Sequence, residues 1–161
     1  MDALTELGRA IGARLKEHKQ TIAVAESSAG GLINATLVAV PGASAFYLGG
    51  AVIYTVNARQ GLLGLEKQDV TGMRSASEPY AQLLAKRVRE KLGATWGLSE
   101  TGASGPTGNR YGDAPGHACL AVSGPVDAVI TLETGSAERE ANMRFFARRA
   151  LALLGDCIGK V

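Results

Sequence analysis

The sequence predicts a three-layer α/β/α domain, with helices on both faces of a mixed sheet of about five strands. Short apolar runs typical of buried strands alternate with segments whose apolar residues recur at helical spacing. The last two strand segments are joined only by Ser123-Gly124-Pro125, which is too short for a crossover, so these strands must pair antiparallel. The 161 residues have the length of one ordinary domain, and we expect residues 1–161 to form a single unit.

The first half of the chain favours three helices and two strands. Apolar residues at helical spacing run from Leu4 to Leu15 and predict an amphipathic helix. Pro41-Gly42 ends the second helix, and Gly49-Gly50 marks a bend or a close backbone approach in the second strand. The predicted elements are a helix ending near residues 17–19, a strand at 21–25, a helix at 32–40, a strand at 46–55 and a short helix up to residue 63.

The second half favours two further helices and three strands. Ser77-Glu78-Pro79 is typical of a helix start, with Ser77 able to cap and Pro79 tolerated in the first turn. The helix that follows reaches Leu92, and the last helix begins near Glu138. The predicted strands are 95–99, 117–122 and 126–132.

The overall charge argues against a nucleic-acid or membrane partner. Seventeen basic and fifteen acidic residues leave a formal net charge of +2, which is too small for an electrostatic footprint. Cys119 and Cys157 belong to no CxxC or Cys/His cluster, so we expect buried free thiols rather than a metal site or a disulfide. Residues 1–19 carry charges throughout and form no signal peptide, which favours a cytoplasmic protein. We expect a small-molecule partner and no cofactor, and we leave formation of a homo-oligomer open.

A first candidate site, Glu26-Ser27-Ser28-Ala29-Gly30-Gly31, follows the first predicted strand. Where a strand opens into a helix, free backbone amides and the helix dipole favour an anion, such as an oxyanion or a phosphate. The same residues also fit a structural loop, in which Ser27 or Ser28 caps the helix and the glycines are packing spacers. A structural role is favoured for Glu26, because its carboxylate can accept hydrogen bonds from backbone amides of the loop.

A second candidate site, Thr101-Gly102-Ala103-Ser104-Gly105-Pro106-Thr107-Gly108, follows the third predicted strand. Its hydroxyls and exposed amides can hold ribose or phosphate oxygens, although a merely tight loop is the alternative. Ligands of open α/β sheets bind outside the carboxyl ends of strands, so the two loops predict one shared cleft. Neither loop is a Walker A or dinucleotide fingerprint, because the lysine, the spacing and the distal acid are missing.

Five stretches in a fixed order resemble the C-terminal amidohydrolase domain of the CinA (competence/damage-inducible) family. They are AESSAGG, VPGAS, GGAVIYT, LLGL and TGASGPTG, and the resemblance runs from about Thr21 to the final helix. The usual family architecture adds an N-terminal molybdopterin-cofactor-like domain, and this chain is similar to the stand-alone form. The activity that the resemblance implies is nicotinamide-nucleotide amidase, which hydrolyses nicotinamide mononucleotide to nicotinic acid mononucleotide and ammonia.

The resemblance also implies catalytic positions. The family's usual Glu-Ser-Cys-Thr-Gly-Gly motif places its nucleophilic serine on Ser27, while Ser28 and Ala29 stand where the family has cysteine and threonine. The next motif, approximately Val-Tyr-Ser-Asn-x-x-Lys, places its tyrosine on Tyr54 and its basic lysine on Arg59. A desolvated lysine can act as a base because its pKa falls, whereas arginine stays charged and can bind a phosphate but hardly accept a proton.

Other polar residues are weaker candidates. His117 follows the second loop and would be a replacement base if it faced the cleft, although a lone histidine at a strand start is more often structural. Tyr54 as a phenolate would need a strongly lowered pKa, and Lys67 lies on a different segment from the family lysine. Arg139 and Arg144, near the start of the last helix, could reach a phosphate or could lie on a solvated helix face.

Two classes of function follow from these observations. The first is a serine amidohydrolase acting on a pyridine mononucleotide, with Ser27 attacking the carboxamide carbon and loop amides holding the oxyanion. The second is a non-catalytic protein, either a nucleotide or sugar-phosphate binding protein that uses Arg59, or a partner-binding subunit whose cleft is vestigial.

Overall fold

The computed structural model describes residues 2–161, and its elements follow the predicted order. The helices are α1 (Asp2–Glu17), α2 (Leu32–Val38), α3 (Val56–Leu63), α4 (Glu78–Leu92) and α5 (Arg139–Ile158). The strands are β1 (Ile22–Glu26), β2 (Tyr47–Val52), β3 (Trp96–Ala103), β4 (His117–Ser123) and β5 (Ala128–Glu133). Short 3₁₀ turns lie at Ala43–Ala45 and Lys67–Val70.

The five strands form one mixed sheet, as predicted, and the structure places them in the order β2-β1-β3-β4-β5. Strand β1 pairs parallel with β2 and β3, whereas β4 runs antiparallel to both β3 and β5. The carboxyl ends of β1, β2 and β3 therefore meet at one edge of the sheet. The start of β4 lies at the same edge, because His117 pairs with Ala103 at the end of β3.

Helices cover both faces of the sheet. Helices α1, α2 and α5 share one core with the larger side chains of the sheet, including Trp96 and Leu120, both of which are fully buried. Helix α4 covers the opposite face, where the strands present smaller side chains. Successive side chains of a strand point to opposite faces, so this division follows from the strand sequences. The small side chains that face α4 are Ala23, Ala25, Cys119 and Ala121.

Two of the differences between the structure and the predicted elements concern residues that the sequence analysis singled out. Strand β3 runs on to Ala103, so Thr101 and Gly102 belong to the strand and pair with Cys119 and Ala118 of β4. Ladder pairing with β4 extends the strand past residues that favour a loop. Ser77 occupies the cap position of α4, but its hydroxyl donates to the carbonyl of Arg74 and not into the helix.

Two further observations concern the cysteines and the apolar character of the helices. Cys119 and Cys157 are both free and buried, as predicted. None of the helices within residues 2–161 is long and apolar enough to cross a membrane.

The close approach of α4 to β3 depends on Gly97. A Cβ at this position would lie 2.1 Å from the carbonyl oxygen of Ala85 and 2.8 Å from the Cβ of Arg89. Gly97→Ala should therefore lower the free energy of unfolding by about 1–3 kcal/mol, as overpacking does in other cores. Urea denaturation measures the change.

Gly61 in α3 provides the matched control, because a Cβ there would meet no atom within 4 Å. Gly61→Ala should raise stability by about 0.5–1 kcal/mol, since alanine restricts the unfolded chain and favours the helix. If Gly97→Ala is as stable as wild type, α4 does not lie against β3 as described.

Candidate functional site

A cleft of about 430 Å³ opens at the edge where the three parallel strands end. Ser27 follows β1, Tyr54 and Arg59 follow β2, and Thr101 and Gly102 lie at the end of β3; all five line the cleft. The segment 109–111 of the β3–β4 loop also lines it. The cleft brings together the residues that family resemblance assigned to catalysis.

A second cavity of about 230 Å³ adjoins the main cleft. Ser28, Ser104, Gly105 and Arg139 line it, and it shares Tyr54, Gly102 and Asn109 with the main cleft. These shared residues make the two cavities neighbours. The two glycine-rich loops therefore border one continuous depression.

Glu26 holds the start of α2 from inside the protein. Its buried carboxylate accepts hydrogen bonds from the amides of Gly31 at 2.8 Å, Ile33 at 3.2 Å and Asn34 at 2.8 Å. Burial raises the pKa of this carboxyl, against the opposing effect of the hydrogen bonds. Because the protein's own carboxylate occupies the anion position at the helix start, Glu26 has a structural role.

Gly30 and Gly31 shape the turn and line neither cavity. Their φ angles of +70° and +103° lie in the left-handed region, which glycine adopts without a steric penalty. Glu26, Gly30 and Gly31 line neither cavity, and contact between these three residues and a substrate stays a prediction. These three residues position the serines that follow β1.

Glu100 is the principal site residue that sequence reasoning missed. It lies fully buried in β3, and its Oε2 accepts hydrogen bonds from the amides of Ser27 at 2.9 Å and Ala29 at 2.8 Å. Its Oε1 accepts a short hydrogen bond from the hydroxyl of Ser28. Burial raises the pKa of Glu100 to about 7, and the negative charge of Glu26 adds to the rise. A single carboxylate inside an otherwise uncharged strand was the signal that could have identified it.

The turn amides that were expected to hold an oxyanion are mostly occupied. Those of Ser27 and Ala29 donate to Glu100, that of Gly30 donates to the carbonyl of Ser27, and that of Gly31 donates to Glu26. Among residues 2–161, the amide of Ser28 makes no hydrogen bond. It is the one amide of the turn that remains able to bind a ligand oxygen.

Arg139 connects the last helix to both cavities. Its Nη2 donates to the hydroxyl of Tyr54 at 3.0 Å, and its Nη1 donates to the carbonyl of Gly105. Arg144 lies elsewhere, in a separate groove with Leu4 and Phe145. Five residues along a helix turn a side chain by about 140°, so Arg139 and Arg144 cannot share a face. Arg144 therefore lines neither cavity, and its contact with a substrate phosphate stays a prediction.

Arg59 contributes a cation with an unused donor. Its guanidinium lies 6.0 Å from the ring centre of Tyr80, and it lines the main cleft. Its Nε is the one buried side-chain nitrogen or oxygen without a hydrogen-bond partner among residues 2–161. Leaving a buried donor unpaired costs about 1–3 kcal/mol.

His117 does not reach either cavity. Its Nδ1 lies 2.5 Å from Oε1 of Glu133, its cross-strand partner on β5, and its Nε2 lies 2.7 Å from the carbonyl oxygen of Ala76. Burial lowers the pKa of the imidazole, but these contacts and the carboxylate of Asp113 outweigh it, so the pKa is raised. Both ring nitrogens contact oxygen atoms of the protein and the side chain lines neither cavity, so the structure does not favour His117 as the replacement base.

The remaining candidates also have defined positions. Thr101 accepts a hydrogen bond from the amide of Ala76 at 3.1 Å, and Ser104 donates to the carbonyl of Ser28 at 2.9 Å. Lys67 is exposed and lines neither cavity. Within the described chain, no group of three or more His, Cys, Asp or Glu side chains is arranged to hold a metal ion.

The buried Glu100 should make stability depend on pH. Its pKa is about 7 in the folded protein and 4.5 as its ordinary value, so the folded state holds the proton more tightly. The stabilisation is complete below about pH 4.5 and is lost as the pH rises through about 7, by on the order of 3 kcal/mol. Glu100→Gln should remove this loss, and urea denaturation at about pH 5 and about pH 8.5 measures it.

The raised pKa values of Glu26 and His117 act in the same direction, but both groups remain in the variant. The difference between wild type and Glu100→Gln therefore isolates Glu100. Parallel pH dependences of the two proteins would contradict the assignment.

Comparisons with known proteins identify the family and agree with the fold. The model of the CinA C-terminal domain family matches residues 4–158. A CinA-like protein of Chlorobium limicola is 37% identical over 153 residues, which cover 91% of this chain. The chain spans about a third of the length of the curated relatives it matches, 35% in this case.

Solved structures show the same fold. A competence-damaged protein (CinA) superfamily protein from Escherichia coli has a TM-score of 0.87 and 26% identity, covering 94% of this chain and 88% of that one. A CinA superfamily protein from Klebsiella pneumoniae has a TM-score of 0.91 at 23% identity, covering 98% and 99% of the two chains, and shows the fold alone. The match over residues 4–158 decides the family: the chain belongs to the CinA C-terminal domain family.

Proposed function

We propose that the chain is a serine amidohydrolase that acts on a pyridine mononucleotide. The reaction is hydrolysis of nicotinamide mononucleotide to nicotinic acid mononucleotide and ammonia. Membership of the CinA family supports the reaction class. The observation that carries the proposal is that Ser27 and the guanidinium group of Arg59 line the same cleft. A substrate with both a carboxamide and a phosphate matches these two groups.

The dimensions of the cleft fit a ligand of this size. Small-molecule sites usually have volumes of about 300–1,000 Å³, and the main cleft alone has about 430 Å³. The second cavity gives further room beside Tyr54 and Gly102. A mononucleotide can therefore place its base and its phosphate in different parts of one depression.

Arg59 acts as the anchor of the phosphate in this proposal. Its fork of N–H groups can donate two parallel hydrogen bonds to a phosphate, which a lysine cannot do. The contact with Tyr80 fixes the direction of the guanidinium. Arginine at this position is therefore a binding group and not a proton acceptor.

A hydroxyl of the Ser27-Ser28 turn supplies the nucleophile. Ser27 stands at the family position, is half-buried and lines the main cleft. Its hydroxyl makes no hydrogen bond with a carboxylate or an imidazole among residues 2–161. The attack forms an acyl-serine and releases ammonia, and water then hydrolyses the ester to the carboxylic acid.

A second candidate function is nucleotide or sugar-phosphate binding without turnover. It is favoured by Arg59 itself, which adds a phosphate-binding cation at the position of the family's basic lysine. Binding raises the melting temperature whether or not the ligand is hydrolysed, whereas ammonia release requires chemistry. These two measurements separate the functions.

Removal of the Arg59 side chain should weaken substrate binding. A hydrogen bond to a charged group contributes about 1.5–3 kcal/mol, so Arg59→Ala should raise KM for nicotinamide mononucleotide by about 10- to 150-fold. An assay of ammonia release over a range of nucleotide concentrations measures this change. Arg144→Ala is the matched control, because that arginine lies in the separate groove, and its KM should equal that of wild type.

Each alternative result has a definite meaning. Thermal stabilisation by the nucleotide without ammonia release would favour the binding protein. Neither stabilisation nor ammonia release would contradict both functions, and an unchanged KM in Arg59→Ala would show that Arg59 does not contact the substrate.

A further inference from the structure

Ser28 and Glu100 form a pair that the family assignment does not use. The hydroxyl of Ser28 donates a hydrogen bond to Oε1 of Glu100, and no other serine of the cleft contacts a carboxylate through its hydroxyl within the described chain. We propose that Ser28 is the nucleophile of this site and that Glu100 is its general base. The inference rests on the proposed amide hydrolysis and names the residues that carry it out.

The geometry follows the logic of an activated serine. A nucleophile needs a base within hydrogen-bond reach, and the base needs a further group that orients it. Oε2 of Glu100 is held by the amides of Ser27 and Ala29, at 2.9 Å and 2.8 Å, so Oε1 is directed at Ser28. Glu100 therefore occupies the position of an oriented base.

The protonation behaviour of Glu100 suits this role. A general base works best when its pKa lies near the operating pH, and burial raises the pKa of Glu100 to about 7. Glu26, at the end of β1, is the charged group that adds to this rise, while β4 places the apolar Leu120 opposite Glu100. Above neutral pH the carboxylate is ionised and can take a proton.

The surroundings of Ser28 provide access and charge stabilisation. Ser28 is 7% exposed and lines the second cavity together with Gly102 and Arg139. Its own amide makes no hydrogen bond within residues 2–161, so it can donate to a developing oxyanion. Donors that await the charge of the transition state contribute strongly to acyl transfer.

Each step balances in atoms and electrons. Oγ of Ser28 passes its proton to Oε1 of Glu100 while it forms a bond to the carboxamide carbon, and the carbonyl electron pair moves to oxygen. The tetrahedral intermediate collapses, the C–N bond breaks, and the proton on Glu100 goes to the leaving nitrogen, which departs as ammonia. Water then gives a proton to Glu100, attacks the ester and releases the carboxylic acid, and the proton returns to Oγ of Ser28. No oxidant or reductant is needed.

Labelling with an alkyl fluorophosphonate tests the proposal without reference to the natural substrate. This reagent forms a P–O bond with an activated serine and expels fluoride, and peptide mass mapping identifies the serine. The expected result is a label on Ser28 in wild type and in Ser27→Ala, and none at this turn in Ser28→Ala. Ser44→Ala, which changes an exposed serine far from the cleft, is the matched control and should label as wild type does.

The rate of labelling tests Glu100. It should rise with pH through about 7 in wild type. In Glu100→Gln, which keeps the shape of the side chain, it should fall by about a hundred-fold or more and lose this pH dependence. A merely structural residue would not remove the pH dependence, and melting temperatures show whether the variant is folded. If Glu100→Gln fails to fold, the pH profile of wild type still decides, because a flat profile overturns the proposal.

Several results would overturn the inference: a label on Ser27, no label at the turn, or a wild-type labelling rate in Glu100→Gln. Ammonia release from nicotinamide mononucleotide is measured on the same proteins. Ammonia release with a label on Ser27 would keep the proposed function and overturn the inference. A label on Ser28 without ammonia release would support the inference and show that the substrate is different.

Discussion

Two buried carboxylates hold the turn between β1 and α2 in place, and the arrangement of the site depends on them. Glu26 and Glu100 are both fully buried, and together they accept hydrogen bonds from five backbone amides of the segment 27–34. Burial of a carboxylate is costly unless its oxygens are hydrogen-bonded, and the turn supplies the necessary donors. The buried carboxylates need hydrogen-bond donors and the amides of the turn need acceptors, so each group satisfies the other. Ser27 and Ser28 are therefore fixed in place by contacts that lie behind them.

The order of the elements and the position of the cleft were predictable from the sequence. Periodicity identified the helices, and the short link at residues 123–125 required an antiparallel pair, which β4 and β5 form. The two glycine-rich loops follow β1 and β3, which pair parallel with each other, so both loops reach the same edge of the sheet. These features depend on local patterns and on chain connectivity, which one sequence contains.

The contacts within the site were less predictable, because they depend on the register between strands and on helix phase. Glu100 follows no motif, and its importance arises only because β3 places it beside β1. Arg144 was grouped with Arg139 by nearness in sequence, although the helix turns them to different sides. His117 follows the glycine-rich loop, but its pairing with Glu133 directs it away from the cleft. Spacing along the chain does not determine these directions.

The positive and negative side chains around the cleft lie at different depths from the protein surface. The side chains of Arg59, Arg110 and Arg139 line the two cavities, and Arg110 and Arg139 are exposed. The carboxylates of Glu26 and Glu100, in contrast, are buried with no exposure to solvent. While Glu26 and Glu100 are ionised, charges of opposite sign at different depths create an electric field across the cleft. A ligand that carries opposite charges at its two ends has one favourable orientation in such a field. Such a molecule would therefore be oriented by the charges of the fold before any single hydrogen bond to it had formed.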